Sequence, residues 1–208
     1  MKNIKYIYSV LMLCCTLTFA QQTPADKQTE AITITGATIH VGDGTVIENG
    51  TVVFENGKIE AVGNSSIASK GKVIDASGKH MYPGFIGANT NLGLVEVDAV
   101  NASNDQAEMG SMIPHVRSLI AYNAESKVIE SMRPNGILTA QVSPNGGRIS
   151  GTSSIMQLDA WNWEDAALKI DDGVHLNWPS SFSRGSWWLG EPRGLKPNEN
   201  YAKQVDEI

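Results

Sequence analysis

Cysteine is nearly absent from this chain: Cys14 and Cys15 are its two cysteines, and both lie within residues 1–20. The rest can form no disulfide and no thiolate metal site, so its stability must come from a buried core. Positive charge is scarce as well, with 16 Lys and Arg against 22 Asp and Glu, a formal net charge of −6. That excludes a broad nucleic-acid or anionic-membrane surface. There is no P-loop, no dinucleotide fingerprint and no internal repeat. The 4 histidines, His40, His80, His115 and His175, are scattered. None pairs with another at i+2, i+3 or i+4, so each reads as an ordinary surface or core residue rather than a metal ligand.

The first residues carry an address. Lys2 and Lys5 open the chain, residues 7–19 are largely apolar but short for a bilayer, and Thr18-Phe19-Ala20 precedes polar Gln21-Gln22. That is the layout of a secretory signal peptide over 1–20 and predicts an exported protein, periplasmic or extracellular, with no membrane anchor after cleavage. An uncleaved anchor is the minority alternative. Lipid attachment at Cys14 or Cys15 is disfavoured, because Leu13 and Cys14 precede them rather than a small residue. Residues 21–30 read as a linker.

Residues 31–82 predict a small all-β unit. Residues 31–35, 38–41 and 58–61 alternate apolar and polar, the period that buries one face of a sheet. Turn signals separate them, and Asn49-Gly50 and Asn56-Gly57 predict tight hairpins, since Asn-Gly tolerates positive φ at both central positions. After Pro83 the pattern changes. Residues 95–112 are acidic, small and polar and read as a loop. Pro114 is placed to start one helix, and Asn123 to cap another over 124–132 that Pro134-Asn135-Gly136 stops. Residues 137–142 form an apolar strand, 151–158 suggest a second, Asn162 caps a short helix, and 200–208 read as the opening turns of a last one. Alternating strands and helices over 83–208 predict an α/β region built from βαβ units.

The runs Ile32 to Ile39, Gly50 to Gly63, Val73 to Lys79 and Pro83-Gly84-Phe85-Ile86 together resemble the amidohydrolase superfamily, nearest its imidazolonepropionase-like members. The strand Gly136 to Val142 and the run Gly146-Gly147-Arg148-Ile149-Ser150-Gly151 fit the same pattern. The resemblance spans most of 31–160 and fades in the Trp-rich tail. It implies a composite β-sandwich over 31–82 followed by the start of a (β/α)8, TIM-like barrel over 83–208. A closed barrel of that kind needs roughly 250 residues, so the barrel is expected to be incomplete in this chain.

The activity it implies is hydrolysis of non-peptide carbon–nitrogen bonds in a small amide or cyclic amide. A divalent metal, zinc foremost, holds and activates the water. In the family a Pro-Gly-hydrophobic-Ile-Asp-x-His-x-His segment opens the first barrel strand. Here Gly87 stands for the aspartate, and Asn89 and Asn91 stand for the histidines. A neutral amide oxygen is a poor substitute for imidazole on zinc. Asn89 and Asn91 are thus the candidate metal positions, and this chain is expected to lack the usual strand-1 site; the resemblance puts the further ligands on later strands, past Ile208, and the sequence names no catalytic residue. The alternative is a non-catalytic scaffold or binding module, completed by the remaining barrel segment or a second hydrolase domain.

Other candidates are weaker. Glu96 and Asp98 would offer hard oxygen ligands beside Asn89 or Asn91, but a solvated acidic loop explains them better. Asn145-Gly146-Gly147-Arg148 would cradle an anion, but an interstrand loop accounts for the glycines equally well. Trp161, Trp163, Trp178, Trp187 and Trp188 would stack on a sugar or flat substrate, with Arg184 and Arg193 at hand for a carboxylate; packing between helices and loops is the commoner use.

Overall fold

The computed structural model describes residues 23–185, 188, 190 and 194–208. The predicted signal peptide and its cysteines, as well as Trp187 and Arg193, lie outside the described residues.

The front region is one five-stranded sheet. Its strands are β1 (Ile32–His40), β2 (Val46–Glu55), β3 (Lys58–Gly63), β4 (Lys72–Asp75) and β5 (His80–Met81). The order is β3-β2-β1-β4, and β5 continues the β4 side of β1. β1 and β2 pair antiparallel, as do β2 and β3, while β4 and β5 both run parallel to β1. Asn56-Gly57 makes the β2–β3 hairpin with φ of +53° and +71°, as its type predicts. Asn49-Gly50 does not make a turn. Asn49 also has positive φ, but it sits within β2, opposite the part of β1 where the register slips. The irregularity is a bulge, which uses the same left-handed tolerance without reversing the chain. The β1–β2 reversal falls instead at Gly42 to Thr45, where Val41 N donates to Thr45 O. Ala37, Ile39, Val52 and Ala76 form the small core of this sheet. The linker is partly tied down: Gln28 donates to Phe54 O and accepts from Gly57 N, and Ala25 N reaches Asp159 Oδ2.

The back region holds a four-stranded sheet of β6 (Phe85–Thr90), β7 (Ile137–Val142), β8 (Ile149–Gln157) and β9 (Ala167–Leu176), in that order. β6 and β7 are parallel, joined by a crossover that contains α1 (Lys127–Met132). This is the one βαβ unit among the described residues. β7–β8 and β8–β9 are antiparallel, so the succession of parallel units expected after 83 stops at β7. The physical reason is connector length. Parallel neighbours need a crossover of a dozen or more residues, whereas Ser143 to Arg148 between β7 and β8 is short enough only for a reversal. A two-stranded sheet, β10 (Phe182–Arg184) with β11 (Leu195–Pro197), and α3 (Tyr201–Asp206) follow.

Local corrections follow from hydrogen bonding. Pro114 starts a turn rather than a helix, and a 3-10 turn at Ser118–Ala121 comes next. α1 is capped by Ser126, whose Oγ accepts from Val128 N at 3.2 Å. Asn123 forms its own turn one step earlier by accepting from Glu125 N. Gly136 ends the following 3-10 turn (Arg133–Asn135) with φ +86°. Asn162 does cap the short α2 (Trp163–Ala166) through Asp165 N at 2.8 Å. Leu94, Leu119, Tyr122, Ile129, Ala140, Val142, Met156, Leu158, Ala160 and Ala166 form the back core. No described helix is long and apolar enough to cross a membrane.

Candidate functional site

β9 is antiparallel to β8, which is antiparallel to β7, so β6, β7 and β9 all point the same way. Their C-terminal ends meet around a pocket of about 390 Å³. β6 contributes Asn89 and Thr90 with Asn91 just beyond; Ser143, Pro144 and Asn145 follow β7; His175 and Leu176 end β9, and Asn177 follows. Gln106 closes the wall from the crossover. Ligand sites in strand-and-crossover folds favour this carboxyl edge.

Asn89 and Asn91 are both brought to the pocket. They do not form a regular i, i+2 strand pair, because Asn89 has φ +51° and the β6–β7 register slips between Gly87 and Thr90. Asn tolerates this left-handed conformation, which most residues avoid. Asn89 N donates to Gln141 Oε1 at 3.2 Å, and Gln141 Nε2 donates to Asp172 Oδ2 at 3.0 Å. Lys169 Nζ stands 2.6 Å from Asp172 Oδ1 and, more than Gln141 or His175, holds the Asp172 carboxyl below the usual range. The Lys169–Asp172 pair thereby orients the Gln141 amide toward the Asn89 backbone. Asn91 Nδ2 donates to Gln106 Oε1 at 3.2 Å, and Asn145 N donates to Gln106 O at 2.6 Å. Asn177 Nδ2 stitches the other side to Gly146 O, Gly147 O and Ser150 Oγ.

Ser143 is 5 % exposed, and its Oγ has no hydrogen-bond partner among the described residues. A buried hydroxyl without a partner costs free energy.

The zinc implied by the sequence resemblance is tested by this wall. It offers amides, hydroxyls and one imidazole, with no carboxylate. No three His, Cys, Asp or Glu side chains gather for an ion among the described residues. Zinc takes imidazole, thiolate and carboxylate. The residues present do not fit it.

Glu96 and Asp98 are not in the pocket wall. Glu96 accepts from Asn123 Nδ2 at 3.1 Å. The Asn145 to Arg148 loop spends its backbone donors on the chain: Gly146 N on Asn145 Oδ1, and Arg148 N and Ile149 N on Ser111 O. The anion cradle is therefore occupied by its own carbonyls and amide. Trp161, Trp178 and Trp188 are exposed, and Trp163 packs on the back core. None of these four lines the pocket. Gln106, Ser143, His175 and Asn177 were not among the expected site residues. Only the fold joins them, so no local signal marks them.

No protein-family model and no curated protein matches the chain. Among solved structures, an amidohydrolase from Thermotoga maritima MSB8 is similar at 24% identity and a TM-score of 0.66, over 72% of this chain and 39% of that one. A putative prolidase from Bifidobacterium longum is 38% identical over 30% of this chain and 17% of its own, at a TM-score of 0.28. A prolidase complexed with N-methylphosphonate-L-proline is 20% identical over 53% of this chain and 25% of its own, at 0.37. The chain thus spans well under half the length of these neighbours, and the likeness to the Thermotoga protein gives the fold: a β-rich arrangement shared with part of an amidohydrolase.

Proposed function

We propose that this chain is the exported front portion of an amidohydrolase-type hydrolase acting on non-peptide carbon–nitrogen bonds, and that its pocket orients a small neutral amide or cyclic amide. The supporting observation is the wall at the carboxyl ends of β6, β7 and β9. Five side-chain amides match the donors and acceptors of such a ligand, while the donor set is wrong for zinc. Activation of water then belongs to residues outside this chain, on a remaining barrel segment or a second hydrolase domain. Without that complement the chain is a scaffold and binding wall.

The test is calorimetric titration of the chain with hydantoin, dihydrouracil and N-acetyl amino acids, beside a turnover assay with added zinc. Binding without turnover, weakened at least tenfold by Asn91→Leu, is the expected result. Zinc-dependent turnover by this chain alone, lost in the same variant, would overturn the division of labour. Absence of binding to every amide at millimolar concentration would remove the substrate assignment. Export is checked separately by cell fractionation and terminal sequencing, with a mature start at Gln21 expected.

A further inference from the structure

The geometry points to a second site that shares no residue with the pocket: His40 and His80 on the front sheet form a two-imidazole seat for a late first-row divalent ion, copper(II) ahead of zinc. These histidines are forty positions apart, and the parallel pairing of β1 and β5 brings them together, with Thr38 opposite His80 and Ile39 opposite Met81. His40 Nε2 and His80 Nδ1 lie 3.1 Å apart. Two nitrogens that each sit about 2.0–2.1 Å from one ion are separated by roughly 2.9–3.4 Å, depending on whether the angle at the metal is right-angled or tetrahedral. The observed spacing falls within that bite.

The rings are also held. Tyr82 stacks on His40 with centroids 4.2 Å apart and planes 7° from parallel. The two imidazole planes are inclined by 33°. In the metal-free pair one ring donates its N–H to the other. In the loaded pair both facing nitrogens present lone pairs, and each ring keeps its one N–H on its outer nitrogen. The change is a tautomer shift in one ring, with no net proton released. Imidazole ligation suits copper and zinc, and copper binds more tightly at a given nitrogen site. His80 is exposed and His40 half-buried, so water can complete the shell from the His80 side.

The experiment is copper(II) titration of the full chain against His40→Gln, His80→Gln and the double variant, followed by visible absorption. The wild type is expected to take up one more tightly bound equivalent than the double variant, and each single variant to lose at least tenfold in affinity for it. Paramagnetic resonance at one equivalent is expected to show two coupled imidazole nitrogens, a reading that needs no variant. Equal uptake by wild type and double variant, a single variant within twofold of wild type, or coupling to one nitrogen would each overturn the assignment. Asn91→Leu, which tests the pocket, is expected to leave copper uptake unchanged, so the two sites fail independently.

Discussion

The front sheet and the back sheet are built on different economies of burial. In front, the buried cluster is Ala37, Ile39, Val52 and Ala76, and two of its four members are alanine. Behind, Leu94, Leu119, Ile129, Met156 and Leu158 are among ten buried residues packed between the sheet and its crossover. Larger side chains remove more apolar surface from water, so most of the hydrophobic stabilisation resides in the back region. Chemistry is distributed the other way. The front region has the paired imidazoles, and the back region has neutral amides around its carboxyl-edge pocket.

Substitutions ranked by effect sharpen this contrast. Met156→Ala empties a fully buried site and is expected to cost about 2–5 kcal/mol, read as a lower urea midpoint. Asn89→Ala puts a Cβ-bearing residue without a polar side chain into the left-handed region and is expected to cost about 1–2 kcal/mol, again by urea denaturation. Ile39→Val in the front core is expected to cost about 0.5–1.5 kcal/mol. A loss from Ile39→Val as large as that from Met156→Ala would break the assignment of stability to the back region.

The smallest effect is electrostatic. Arg117 holds Asp171 below the ordinary aspartate range, and Lys169 does the same for Asp172. A depressed folded value stabilises above the unfolded value of about 3.9 and loses that contribution as pH falls through the folded value. Thermal melts are therefore expected to be flat from neutrality to about pH 5 with respect to these groups, then to fall below pH 4. Asp171 is exposed and Asp172 half-buried, and both ion pairs have an exposed cation, so the loss is slight, and Arg117→Met is expected to diminish it further.

What was legible in the sequence was local. Asn56-Gly57, Gly136 and Asn162 each act through their own backbone and a neighbour within a few residues, and their chemistry announces the turn or cap. Asn49-Gly50 has the same letters, yet it became a bulge, because pairing with β1 decided its use. Asn123 and Ser126 are both good caps, but Asn123 spends its side chain on Glu125 N and Glu96, and Ser126 takes the cap. The direction of β8 and β9 is a property of connector length and sheet pairing. An apolar run such as Ile137 to Val142 looks the same whichever way its neighbour runs. For the same reason the pocket was half legible: Asn89 and Asn91 stood out against a motif, whereas Gln106, Ser143, His175 and Asn177 have nothing in common but the place where the strands end. His40 and His80 escaped notice because spacing rules reach a few positions along the chain, not forty.

The mixed directions of the back sheet also order its assembly. β7, β8 and β9 meet through short reversals, so their contacts close small loops, whereas β6 reaches β7 only after the whole of 91–136 has been gathered in. Closing the longer loop costs more entropy and delays the contact. β6 is then the last strand to dock and the first to detach, and the amides of Ile86 to Thr90 should trade their hydrogens for deuterium ahead of those in β8. Since β6 carries one wall of the pocket, the binding edge would come into being only with the final step of folding.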